Sequence, residues 1–278
     1  MSARLAVEDF GKGDALVLIH GLATTREIWN SVTPALAGSR RVVTLDVPGF
    51  GESAPVGAGF ELEAVAERIA SGLIAHGVDG PFDLVGHSLG AGIALTLAAV
   101  RPATVRRLVL VAPAGFALVP RAASVLLSAS VDRVLSARRR LAGLTDLEWG
   151  RRLLLAFAAA DGAAIAPTQA RLMVQASASA QRTAAAFSTI TGADLRPLLG
   201  QTKAPLGVIW GARDRTISVR VAEVVRAARP DAQVVIIERA GHVAMIERPE
   251  AFVAALDDLL ARLPKHATSS GAGPPTVS

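Results

Sequence analysis

The chain has 278 residues, of which 51% are hydrophobic and 19% charged; this suffices for one large domain, or one domain with an insertion, and excludes disorder or a repetitive fibre for the bulk. Its net charge of +5 sits in residues 120–200, where ten Arg face five acidic residues, with no interleaved Tyr anywhere in the chain, so nucleic acid is not an expected partner. The absence of Cys removes thiolate nucleophiles, disulfides and cysteine–zinc sites.

At the N-terminus, Glu8 and Asp9 precede any apolar stretch that a secretory leader would need, and a cytoplasmic location is expected. Short runs rich in Val, Ile and Leu then recur, at 4–8, 15–20, 41–46, 82–87, 105–111, 205–210 and 233–238. Stretches with helical spacing separate them and start near Thr24, Glu61, Ser88, Thr216 and His242. This alternation predicts an α/β fold, a mostly parallel doubly wound sheet with helices on both faces. Capping boxes are expected at Thr24–Glu27 and Thr145–Glu148. Leu89–Val100 is the longest apolar run and falls short of the ~18 residues of a membrane span. Between 118 and 200 the alternation stops and Ala, Leu and Arg dominate. That segment is expected to be a helical cap inserted into a core formed by 1–117 and 201–264, and the Gly/Pro/Ser-rich tail 265–278 is expected to be disordered.

Residues 82–92 read FDLVGHSLGAG, an apolar strand, the pattern G-x-S-x-G and a helical run. Glycines on either side permit the sharp turn that projects a serine hydroxyl, here that of Ser88. A hydroxyl is a weak nucleophile at neutral pH and needs a base oriented by an acid. Of the five His, His20 ends a strand, His76 lies where a helix ends, His87 should point away from the Ser88 hydroxyl, and His266 is in the tail. His242, after Gly241 on a loop behind a strand, is left as the base. An acid before it in the chain, on a loop after a strand, is Asp214, four residues beyond Trp210. Backbone N–H groups of Leu22 and Leu89 are the expected oxyanion donors. Taken singly, each residue has a plainer reading: an inert serine on a glycine-rich turn, a histidine exposed at a helix N-terminus, an aspartate that caps a helix or pairs with Arg213 or Arg215. Their joint order favours the chemical one.

Other motifs fail on context. GFGESA at 49–54 follows a strand, but Pro55, Gly57 and Gly59 stand where a dinucleotide site needs a helix. No phosphate loop or metal-ligand spacing is present, so neither a metal nor another cofactor is expected.

With these residues in hand, the chain resembles the α/β-hydrolase superfamily, in its esterase-like branch with a helical cap. The resemblance covers residues 4–263 and rests on His20–Gly21, LDVPGFGES at 45–53, GHSLG at 86–90, the acid loop 211–216, and Gly241–His242 followed by ERPEAF. It implies a serine hydrolase acting on small carboxylic esters, with lactones, thioesters, amides, peracids or carbon–carbon bonds as alternatives for the same residues. Ser88 excludes relatives with an Asp nucleophile, and Val243 stands where carbon–carbon bond hydrolases often carry Trp. A non-catalytic ligand receptor is the reading from another class. Ala91 replaces a glycine found in many relatives and implies tighter packing behind the serine. Leu118, Val119, Leu126, Leu127, Val131, Leu153, Leu154 and Phe157 are expected to line an apolar acyl pocket, with the Arg run 138–140 on the water side. Charged acyl chains should then be poor substrates, whereas one Arg turned inward would instead select a carboxylate. The sequence does not specify an oligomeric state.

Overall fold

The structure, a computed structural model, describes residues 4–116 and 121–265, with the backbone alone at 121 and 122. The expectations for Leu118, Val119, His266 and the tail beyond 265 lie outside the described residues. Seven strands form one sheet: β1 (Val7–Phe10), β2 (Ala15–Ile19), β3 (Arg41–Leu45), β4 (Phe82–His87), β5 (Val105–Val111), β6 (Leu206–Gly211) and β7 (Gln233–Ile237), in the order β1-β3-β2-β4-β5-β6-β7. All neighbours are parallel except β1, which runs antiparallel to β3.

The first strand lies at 7–10 rather than 4–8. Residues 4–6 are drawn aside by the loop after β3: the Ala6 N–H donates to Ser53 Oγ at 2.8 Å, and the Ala6 carbonyl accepts from the Asp46 N–H at 3.0 Å. Apolar character predicted burial there, and burial without a ladder is what the chain delivers.

The central strands are apolar on both faces because successive side chains feed opposite cores. Val17, Ile19, Leu84, Leu108, Leu110, Val208 and Trp210 join one cluster, while Leu16, Leu18, Val85, Val109, Val111 and Ile209 join the other. Helices α1 (Thr33–Ala37), α2 (Leu62–Ala75) and α3 (Leu89–Val100) alternate with β2 to β5. Helix α3 and the inner face of α2 fill the first core, and Leu36 of α1 fills the second.

Five helices follow between β5 and β6: α4 (Arg121–Arg140), α5 (Glu148–Leu154), α6 (Pro167–Gln175), α7 (Thr183–Gly192) and α8 (Arg196–Gln201). Among the described residues they form no separate core cluster. Ala186, Ile190 and Leu199 enter the first cluster, and Leu155, Ala170, Met173 and Val174 the second. Helices α9 (Val221–Ala228), α10 (Ala244–Glu247) and α11 (Pro249–Arg262) are the last among the described residues, with Phe252, Leu256 and Leu259 of α11 fully buried.

Neither capping box forms. Thr24 Oγ1 donates to the Gly21 carbonyl at 2.9 Å, and Thr145 Oγ1 donates to the Ala142 carbonyl, while Thr25 and Leu147 occupy the cap positions without side-chain cap bonds. In both cases the helix starts later than the pattern requires, so neither Thr24 nor Thr145 stands at the N-cap.

Candidate active site

In a parallel sheet the loops at the carboxyl ends of the strands meet on one side, where ligands are bound. Here those loops surround a cavity of about 790 Å³. The loop after β2 contributes Leu22 and Thr24, the end of β4 and the turn after it His87, Ser88 and Leu89, the loop after β6 Thr216 to Ser218, and the loop after β7 His242 and Val243. Leu127, Val131 and Arg138 of α4, Leu154 and Phe157 face them from the helical segment.

Ser88 has φ 54° and ψ −115°, a left-handed conformation that costs a residue with a side chain roughly 1–3 kcal/mol. The turn is held by the Ser88 N–H, which donates to the Val111 carbonyl at 2.9 Å, and by the Ser88 carbonyl, which accepts from Ala91 and Ala114 N–H at 3.0 and 3.2 Å. Gly86 is required because a Cβ there would run into the Gly90 carbonyl. Although Ser88 stands at the N-cap of α3, its side chain makes no cap hydrogen bond. The hydroxyl is therefore not spent on the helix.

His242 Nδ1 lies 2.7 Å from Asp214 Oδ2. The Asp214 side chain is fully buried and saturated with donors: Oδ1 accepts from the Thr216 and Ile217 N–H groups at 2.8 and 2.9 Å, and Oδ2 also accepts from Trp210 Nε1 at 3.1 Å. These fixed dipoles make a charged carboxylate tolerable without water. With Nδ1–H committed to Asp214, the lone pair of the neutral ring lies on Nε2. Ser88 and His242 share the cavity wall, 8% and 7% exposed.

His87, adjacent to Ser88, packs against His242 with ring centroids 4.7 Å apart. Its Nε2–H donates to the His242 carbonyl at 2.9 Å. Burial, reinforced by the neighbouring His242, holds the His87 imidazole well below its ordinary pKa, so the ring is neutral and braces the backbone of its neighbour.

His20 is buried in the loop that carries Leu22. Its Nε2 accepts from the Val47 N–H at 2.8 Å and its Nδ1–H donates to the Gly21 carbonyl at 2.8 Å. Burial lowers its pKa against the opposing pull of Asp46, which favours this neutral tautomer. A trans peptide points its N–H away from its C=O. Fixing the Gly21 carbonyl with His20 and Thr24 therefore also fixes the direction of the Leu22 N–H. Gly21 must be glycine, since a Cβ would lie 2.9 Å from His87 Nδ1 and 3.1 Å from Ser88 Cβ. Leu89, first in α3, offers an N–H of the helical turn that has no intrahelical partner.

The structure thus joins Asp214 to His242 by a hydrogen bond and brings Ser88, Leu22 and Leu89 to the same cavity. Sequence reasoning missed the brackets around them. Glu247 accepts the Gly241 and Ala160 N–H groups, both at 2.7 Å, with burial pushing its carboxyl pKa up against these bonds. Thr216 Oγ1 donates to the Phe157 carbonyl at 2.7 Å, and the Val243 N–H to the Ala158 carbonyl at 3.2 Å. Residues 157–160 are therefore clamped to the loops bearing Asp214 and His242. The pocket expectation needs correction: Leu127, Val131, Leu154 and Phe157 line the cavity, whereas Leu126 and Leu153 are not part of its lining. Arg138, expected in water, lines the cavity instead. Its place was readable from spacing, seven residues beyond Val131 on one helix face.

Among the described residues no group of His, Asp or Glu is placed to hold a metal ion, and no helix is long and apolar enough to cross a membrane. A family model described as alpha/beta hydrolase fold matches residues 14–249. The chain belongs to this family. It is 29% identical over 248 residues to a pimeloyl-[acyl-carrier protein] methyl ester esterase of Neisseria meningitidis, spanning 87% of this chain and 92% of that protein. It is 31% identical over 259 residues to the dihydrolipoyllysine-residue acetyltransferase component of the acetoin cleaving system of Pseudomonas putida. That match spans 91% of this chain but only 64% of the Pseudomonas protein. A bromoperoxidase from Bacillus anthracis has the same fold, with a TM-score of 0.78 at 23% identity, covering 92% of this chain and 95% of its own.

Proposed function

We propose that this alpha/beta hydrolase cleaves small carboxylic esters through an acyl-enzyme on Ser88, with Asp214 and His242 completing the triad. The observation that carries this reading is the His242–Asp214 hydrogen bond of 2.7 Å beside a strained serine whose hydroxyl is not used by its helix. In the reaction, His242 Nε2 takes the proton as Ser88 Oγ attacks the carbonyl carbon. The C–O bond to the alcohol then breaks, and the same proton passes to the leaving oxygen. Asp214 stabilises the transient imidazolium, and the N–H groups of Leu22 and Leu89 stabilise the oxyanion. Water, activated by His242, attacks the acyl-enzyme and releases the acid.

The helices between β5 and β6 act as a cap in this reading, and their inner face accepts an apolar acyl chain, gaining up to ~0.8 kcal/mol per buried CH₂ until the cavity is full. No cofactor takes part. The esterase relative supports an ester substrate, while lactones, thioesters and amides would use the same residues. A hydrolysis panel of esters, thioesters, lactones and amides tests the proposal. Fastest turnover is expected on esters, and labelling of Ser88 without turnover of any of them would favour a ligand receptor.

A further inference from the structure

Arg138 differs from the other arginines near the site. It lines the cavity that holds Ser88 and His242, and no Asp, Glu or Lys shares that lining among the described residues. Its Nε is buried without a hydrogen-bond partner among the described residues. Arg151 and Arg182 also leave Nε unpartnered, but their terminal nitrogens donate to backbone carbonyls; Arg106 and Arg107 are matched by Asp83, and adjacent Arg139 is held by Ser136 and Ser177. Burial lowers the Arg138 pKa, and no neighbouring charge offsets it.

Leu127, Val131, Val134 and Leu135 precede Arg138 along one face of α4, and all five line the cavity. At 1.5 Å per residue the stripe is about 16 Å long, apolar for most of its length and cationic at one end. A ligand that complements it has an apolar spacer and one terminal anion. A single guanidinium in an apolar wall matches a carboxylate charge for charge and in its forked geometry. A doubly charged phosphate would bring one uncompensated charge into the cavity.

We propose that Arg138 is a specificity-determining residue that receives a carboxylate at the far end of the acyl chain, so that half-esters of dicarboxylic acids are the preferred substrates. The proposal rests on the acyl-enzyme reading for turnover, but binding tests it separately. The first arm compares kcat/KM for monomethyl suberate and methyl octanoate, esters of matched chain length. A preference for the half-ester of roughly ten- to a hundredfold is expected from a charge-assisted pair. Arg138→Leu should reverse that preference. Arg138→Lys should retain part of it, since it keeps the charge and loses the fork.

The second arm uses the Ser88→Ala protein and measures its thermal midpoint with monomethyl suberate. A saturable rise is expected that disappears when Arg138→Leu is added. Equal or better turnover of methyl octanoate by the unaltered chain would overturn the proposal. So would a preference that survives Arg138→Leu, a thermal shift independent of Arg138, or a phosphate-terminated ester that outperforms the half-ester. If no ester is turned over, the acyl-enzyme reading falls, and the thermal shift alone decides the role of Arg138.

Discussion

The sheet and the helical segment between β5 and β6 treat apolar residues in opposite ways. Every residue of β4 and β6 is buried, whereas on α4 Val125, Leu126 and Val134 are 54%, 75% and 63% exposed. The sheet holds Ser88 in a costly conformation from both sides, and the loops at its edge hold Asp214 and His242 through backbone donors and buried side chains. The helical segment is anchored at residues 157–160 and packs α4 on α7, but spends much of its apolar surface outside the core. Under the proposed function the two regions divide the labour: the sheet fixes the chemistry and α4 tunes what is admitted to it.

The comparison breaks most visibly at the triad. Ser88→Ala, His242→Ala and Asp214→Asn should each lower kcat on a simple ester by about 10³-fold or more, and Ser88→Ala combined with His242→Ala should be little worse than either alone. Losses that multiply would show that the two residues do not act as a unit. A smaller effect, roughly a hundredfold in kcat, is expected from Gly21→Ala, because the added Cβ pushes the Leu22 loop off Ser88 and misaims one oxyanion donor. An unchanged kcat would remove Leu22 from the account.

Stability sharpens the same contrast. Leu256→Ala on buried α11 should cost about 2–5 kcal/mol in denaturant unfolding, while Leu126→Ala on exposed α4 should stay within about 0.5 kcal/mol. Comparable costs at the two positions would mean that α4 is not the softer region. The smallest effect concerns pH. The folded-state pKa values of His20 and His87 are lowered by burial from an ordinary value of 6.5, so the unfolded chain binds more protons. Their neutral state is fully accommodated above that value, and stability should fall as pH drops below it. His87→Gln should flatten the slope of the urea midpoint between neutral pH and about 5, and an unchanged slope would exclude His87 as a contributor.

Much of the sheet was legible in the sequence because strands buried on both faces must be apolar almost throughout, as Ala15–Ile19 and Leu206–Gly211 are. The first strand was misplaced because Leu5 and Ala6 are packed inward without joining a ladder. At the site, chain order and turn glycines pointed to Ser88, Asp214 and His242, of which Asp214 and His242 are hydrogen-bonded and Ser88 shares a cavity with His242; their catalytic roles belong to the proposed function. Their supports were not legible, since Trp210, His87 and Glu247 act through contacts that local sequence does not encode. The threonines at 24 and 145 matched a helix-start pattern, but the helices start one and two residues later, and both hydroxyls donate to the carbonyl three residues before them. For Arg138 the water side was favoured over an inward turn because Arg is usually solvated, although helical spacing from Val131 and Leu135 puts it on the inward face.

The central claim is that Ser88 carries the acyl group. The most direct measurement is mass spectrometry after reaction of the full chain with a fluorophosphonate, accompanied by trapping of the acyl-enzyme with a slowly hydrolysed ester. The account predicts one adduct of each kind, both on the peptide containing Ser88, and neither in Ser88→Ala. An adduct on any other residue, or labelling that persists in Ser88→Ala, would contradict it.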